Sequence, residues 1–214
     1  MGRRALRKID PALDLSNHLY SLDAVPQPFV AAEFFGSDVP LEVEVGSGKG
    51  LFMETATQAN PQRNFLGIEM ARRYARYSAA RLAKRGLNNG KMISGDGLRF
   101  FRACLGGETI DVVHVYFPDP WWKDRHRKRR VMKPEFLKNV QRVLVPGGKL
   151  HFWTDVEEYF QTTLELIATE VSLQGPLDVA ERCAEHDLDY HTHFERRMRL
   201  NDLPVYRSEF SKSR

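Results

Sequence analysis

The chain has 214 residues, of which 42% are hydrophobic, 28% charged and 11% aromatic. That length and balance suit one globular core and exclude collagen-like, low-complexity and wholly disordered classes. No apolar run approaches the ~18 residues of a spanning helix. The basic start at residues 1–8 also lacks the apolar stretch of a secretory signal, so the chain is expected to stay in the cytoplasm. Two cysteines, Cys104 and Cys183, with no CxxC pairing argue against a disulfide framework or a four-cysteine zinc site.

In chain order, residues 1–40 show weak periodicity and three prolines, Pro11, Pro26 and Pro28, and read as a flexible N-terminal arm. From residue 41 to 214 the text reads as a single domain. A strand at 41–45, a glycine turn at 46–50 and a helix at 51–59 ending before Pro61 open it. A strand at 65–69 and a helix at 71–85 stopped by Gly86 follow, then a strand at 91–94 and a helix at 98–104. A strand at 110–117 leads into a loop through Met132, a helix at 134–144, a turn at Pro146-Gly147-Gly148 and a strand at 149–153. The spacing of Thr154-Asp155-Val156-Glu157 predicts a capping box and a helix running towards Thr169, and 203–210 reads as a late strand. Strand and helix alternate throughout, so the fold class is α/β, a doubly wound, mostly parallel sheet with helices on both faces.

The net charge of +4 is unevenly spread. Residues 72–91 hold seven cations and no acid; residues 121–142 hold nine cations against Asp124 and Glu135. The other 172 residues therefore carry a formal −10, and the distribution is that of a polyanion binder. The first block reads as an amphipathic helix with a solvated face. In the second, Arg125-His126-Arg127-Lys128-Arg129-Arg130 crowds five cations into six residues, a self-repulsion that a phosphate backbone relieves. Trp121 and Trp122 immediately before it suit base stacking, with one of the two expected in the core.

The turn Glu44-Val45-Gly46-Ser47-Gly48-Lys49-Gly50 lies between a strand and a helix, where an α/β sheet binds nucleotide-like ligands. Leu51 breaks the dinucleotide GxGxxG pattern, and no P-loop is present. Glu44 beside the loop repels a pyrophosphate and welcomes a cation. Glu69, 23 residues after Gly46, stands where a carboxylate accepts a ribose diol, and Gly95-Asp96-Gly97 adds an acid at the third strand end. An adenosine-bearing cation with a free diol describes S-adenosylmethionine, and the segment resembles class I S-adenosylmethionine-dependent methyltransferases, which implies a seven-stranded, Rossmann-like sheet.

After the fourth strand, Phe117-Pro118-Asp119-Pro120-Trp121-Trp122-Lys123 fixes Asp119 between two prolines. With Arg125, His126, Lys128, Arg129 and Arg130 it is similar to the signature of the tRNA (guanine-46-N7)-methyltransferase family. Thr154-Asp155 with Tyr159, and Thr192-His193-Phe194-Glu195 with Arg197, match the same family, whose pattern runs from about residue 41 to 210. The resemblance implies that Glu44, Gly46, Gly48, Glu69, Asp96 and Asp119 hold the cofactor, with Asp119 also the catalytic carboxylate. It further implies that Lys123, Asp155, Thr192, His193, Phe194 and Glu195 contact the substrate, and Arg125 through Arg130 the RNA, a tRNA whose variable-loop guanosine becomes 7-methylguanosine. Guanine N7 carries a lone pair and no proton, so alignment rather than a strong base is required. Cys183, His186, His191 and His193 match no zinc motif, and no metal is expected. Nothing in the sequence requires a membrane, DNA or a protein partner. The alternatives are an RNA-binding protein of this fold without turnover, or a class I methyltransferase with another substrate.

Overall fold

The computed structural model describes residues 6–180 and 190–214. Its centre is built from strands whose alternate side chains feed two apolar layers. In β2 (Leu41–Val45), Leu41, Val43 and Val45 face one layer. In β5 (Ile110–Tyr116), Val113 and Val115 join that layer while Tyr116 faces the other. The period-2 pleat thus lets a strand be buried on both faces.

The sheet also contains β1 (Leu19–Ser21), β3 (Asn64–Glu69), β4 (Gly90–Ser94), β6 (Leu144–Thr154), β7 (Gln174–Leu177) and β8 (Tyr206–Ser211), in the order β1-β4-β3-β2-β5-β6-β8-β7. β1, β4, β3, β2, β5 and β6 run parallel to their neighbours, and β8 is antiparallel to both β6 and β7. On one side lie α2 (Leu51–Ala59) and α3 (Arg72–Lys84), with Phe52, Met53, Ala79 and Leu82 packed against Phe65, Met92 and Tyr116. On the other lie α4 (Gly97–Ala103), α6 (Pro134–Val143) and α7 (Glu157–Glu170). In α7 the fully buried Tyr159, Thr163 and Ile167 recur every four residues, the spacing of one helix face. Two short helices complete the fold, α5 (Asp124–Arg127) and α8 (His193–Arg199), besides α1 (Ala31–Phe35) near the start.

Several expectations change. Among the described residues the sheet has eight strands and not seven, because residues within the expected arm pair with the sheet edge: Leu19, Tyr20 and Ser21 align with Met92, Ile93 and Ser94. Phe29 is 4% exposed and packs edge-on to Phe100, so segment 19–35 belongs to the folded body. Lys91 fastens it, donating from Nζ to the Phe34 carbonyl at 2.5 Å with the Tyr20, Phe34 and Phe35 rings within 5.3 Å. The loop before Met132 contains the single turn α5. The capping box at Thr154 does not form: Thr154 stays in β6, its hydroxyl accepts from Val156 N at 3.2 Å, and α7 starts at Glu157. Pro146-Gly147-Gly148 sits within β6, where the register against β5 shifts.

Candidate active site

Four of the expected cofactor acids stand at the carboxyl ends of four adjacent strands, β4, β3, β2 and β5, the edge where open α/β sheets hold ligands. Glu44 is 3% exposed, and its Oε2 is buried without a hydrogen-bond partner among the described residues. Burial, opposed by the Ser47 hydroxyl and reinforced by the charge of Glu69, pushes its carboxyl up from 4.5 to about 8. An orphaned carboxylate oxygen at the ligand edge fits an ammonium group.

Glu69 organises the glycine turn. Its Oε2 accepts from Gly48 N and its Oε1 from Ala71 N, both at 2.8 Å. The turn itself depends on left-handed backbone at Gly46 (φ 88°) and Gly50 (φ 69°), and a side chain at Gly50 would also run into Ser78. Asp96 caps α4, accepting from Leu98 N at 2.9 Å, so one oxygen is committed to structure. Beneath this edge His114 bridges Glu42 at 2.7 Å and Tyr116 at 2.8 Å. Burial lowers His114 and drives His151 to about 2, so both rings are neutral at pH 7.

Asp119 is exposed at the middle of a turn whose two flanking aromatic residues, Phe117 (φ 49°) and Trp121 (φ 47°), occupy left-handed backbone. For bulky side chains that conformation costs on the order of 1–3 kcal/mol each, and it persists only where the surroundings impose it. Asp119, Pro120, Trp121, Trp122, Lys123 and His126 line a cavity of about 410 Å³. Neither neighbouring tryptophan is core: Trp122 is 67% exposed, and half-buried Trp121 carries Arg129 at 5.0 Å over its ring. The fully packed indole is Trp153 instead.

The basic loop divides. Arg125, Arg127, Lys128 and Arg129 are exposed and His126 half-buried, whereas Arg130 is 8% exposed and pairs with Glu158 at 2.9 Å. Arg127 also bonds Asp124 at 3.0 Å. The late segment divides as well. Phe194 stacks on Phe117 with centroids 5.8 Å apart, which brings α8 against the Asp119 turn. His193 approaches Arg81 of α3 at 3.3 Å, while His191 packs among Phe52, Tyr116 and Trp153. Thr192 caps α8 by accepting from Glu195 N at 3.0 Å. Glu195 is 3% exposed, accepting from His191 N at 2.7 Å and lying 3.3 Å from Arg199 and 3.6 Å from Arg207. Its carboxylate therefore serves the fold. Asp155 stands half-buried just past β6, on the same edge as the other acids. Cys183 and His186 lie outside the described residues. Sequence reasoning gave no part to Glu158, because its role arises only where α7 meets the loop.

A family model described as a putative methyltransferase matches residues 38–208. A Rhodopirellula baltica protein named tRNA (guanine-N(7)-)-methyltransferase is 51% identical, the alignment covering 99% of this chain and 80% of that one. A Cupriavidus necator protein of the same name is 37% identical over 80% of this chain and 66% of its own length. In an Actinobacillus succinogenes protein of that name, 32% identical, the match spans 76% of this chain and 64% of the relative. The solved 16S rRNA methyltransferase KamB superposes with a TM-score of 0.61 at 18% identity over 88% of this chain and 96% of its own, a likeness of fold. A 16S rRNA (adenine(1408)-N(1))-methyltransferase from Catenulisporales acidiphilia, solved with its cosubstrate SAM, gives 0.56 at 18% identity over 86% and 90%. By its matched span and its identity to these relatives, the chain belongs to the tRNA (guanine-N7)-methyltransferase family of S-adenosylmethionine-dependent enzymes.

Proposed function

We propose that this protein transfers the methyl group of S-adenosylmethionine to N7 of the guanosine at position 46 in the tRNA variable loop. The products are 7-methylguanosine and S-adenosylhomocysteine, and the reaction takes place in the cytoplasm. The observation that carries this reading is the junction of two chemistries at one turn. Asp119 follows the three cofactor acids along the strand edge and also lines the cavity that Trp122, Lys123 and His126 share with the basic loop.

Bound at the acidic edge, the cofactor supplies a methyl group on a positively charged sulfur. Glu44 would hold its ammonium, Glu69 its ribose hydroxyls and Asp96 the adenine side, and Gly46 and Gly48 would let it lie close to the backbone. Asp119 faces the purine. Methylation at N7 would leave positive charge on the purine. A carboxylate at Asp119 stabilises that charge where it develops. No proton leaves N7, so no group has to act as a strong base.

Lys123, Asp155, Thr192, His193 and Phe194 border the purine, while Arg125, His126, Arg127, Lys128 and Arg129 track the RNA backbone. N7 of a paired guanine lies in the deep, narrow groove of A-form RNA, which makes an unpaired variable-loop base the accessible target. Incubation with methyl-labelled S-adenosylmethionine and unmodified tRNA, then nucleoside mass spectrometry, tests the reading. Label is expected in 7-methylguanosine and absent when guanosine 46 is replaced; label in another nucleoside, or none, overturns it.

A further inference from the structure

The last cation of the basic loop does not face solvent. Arg130 donates from Nε to the Pro120 carbonyl at 2.7 Å and from Nη2 to Glu158 Oε2 at 2.9 Å. Its guanidinium lies 4.4 Å above the Tyr159 ring, and the Tyr159 hydroxyl in turn accepts from Met132 N at 3.3 Å. Each of the three guanidinium nitrogens thus donates within the protein, Nη1 reaching Glu158 Oε1 at 3.5 Å, and the face of the fork lies on an aromatic ring. Pro120 directly follows Asp119. At the other end of the same turn, Phe117 N donates to the Trp153 carbonyl at 2.8 Å. The left-handed residues Phe117 and Trp121 fall at or beside these two anchors.

We infer that Arg130, backed by Glu158 and Tyr159 of α7, is a positioning residue that holds the Asp119 turn in its strained form and makes no contact with RNA. The inference rests on the reading that Asp119 faces the reacting guanine. Adjacent arginines then have opposite duties: Arg129 remains on the surface for phosphate, and Arg130 sets the aim of the carboxylate.

The test compares Arg130→Gln, Arg130→Lys, Glu158→Gln and Arg129→Gln in steady-state methylation of tRNA and in tRNA binding across a salt series. Arg130→Gln is expected to lower kcat by about a hundredfold, the scale of a misplacement near 1 Å, with KM for tRNA and the salt slope unchanged. Arg130→Lys is intermediate, since one ammonium reaches either Pro120 or Glu158 but not both. Glu158→Gln, at a side chain 44% exposed, loses kcat in the same direction by several-fold. Arg129→Gln behaves oppositely, lowering the salt slope by about one and weakening binding. Acrylamide quenching in a Trp122→Phe background, where Trp153 is buried and Trp121 is the more accessible of the two remaining indoles, gives a readout independent of turnover, and it rises when Arg130→Gln is added.

Wild-type kcat and quenching in Arg130→Gln, or a salt slope lowered as in Arg129→Gln, overturns the inference. Should Arg130→Gln fail to fold, Arg130→Lys and Glu158→Gln decide on the same measurements. A wild-type protein that methylates no tRNA defeats the functional reading alone, because the quenching series still decides whether Arg130 holds the turn.

Discussion

Glu69 and Gly48 are joined by a hydrogen bond of 2.8 Å from the Gly48 amide to Oε2, so the carboxylate assigned to the ribose also shapes the loop beneath the rest of the cofactor. The second oxygen holds the Ala71 amide at the start of α3. Glu69→Gln leaves only one acceptor oxygen for these amides and for the diol. Loss of one or two charge-assisted bonds at ~1.5–3 kcal/mol each is expected to weaken S-adenosylmethionine at least roughly tenfold. Calorimetric titration measures it, and an unchanged Kd would remove Glu69 from the cofactor site.

Glu44 makes the ligand-free protein sensitive to alkali. Its folded-state carboxyl, at about 8, lies above the ordinary 4.5, so the folded chain holds a proton that the unfolded chain has released between those values. Stability therefore falls as pH rises from 5 to 8, with a ceiling of roughly 4–5 kcal/mol. Glu44→Gln is expected to flatten this dependence in thermal melts between pH 5.5 and 8.5 and to weaken cofactor binding. In the wild type, a bound ammonium favours the carboxylate, so affinity tightens over the same range and binding releases a proton.

Asp119→Asn keeps the shape of the turn and removes its charge. Turnover is expected to fall by about two orders of magnitude, the scale of removing one stabilising group from the transition state, while the Kd for tRNA stays within about twofold. Single-turnover methylation beside a binding isotherm separates the two. Equal losses in both would make Asp119 a binding contact only.

Glu195→Ala is expected to act through stability. It removes a buried carboxylate that lies 3.6 Å from Arg207 and 3.3 Å from Arg199 and that accepts from His191 N ahead of α8. Loss of the charge-assisted hydrogen bond from His191 N costs about 1.5–3 kcal/mol, readable as a lowered Tm. An activity loss at unchanged Tm would restore a direct substrate role.

The elements read most easily from sequence were those whose signal is local. β2 at Leu41–Val45 and α2 at Leu51–Ala59 fall at the expected bounds because an alternating apolar run and a glycine turn mark both ends. The strand-edge acids were legible for the same reason: a βα repeat puts each at the carboxyl end of its own strand. β1 was not, because three residues at an edge take their strand form from β4, 73 positions later. Arg129 and Arg130 are the same letter in the same run. Pro120, Glu158 and Tyr159 hold Arg130 and not Arg129, and no spacing within the loop records that. Thr154 shows the converse, a capping pattern overridden because β6 keeps the residue in its ladder with β8.

The pairing of β1 with β4 has a practical consequence. A chain trimmed at residue 40, where the regular alternation begins, would strip the outer row of amides and carbonyls of β4 bare and leave Lys91 without its aromatic cage. Exposed strand edges of this kind template pairing between molecules. Such a fragment would keep every residue assigned to chemistry and still tend to precipitate, so the opening segment shields the molecule from its own copies.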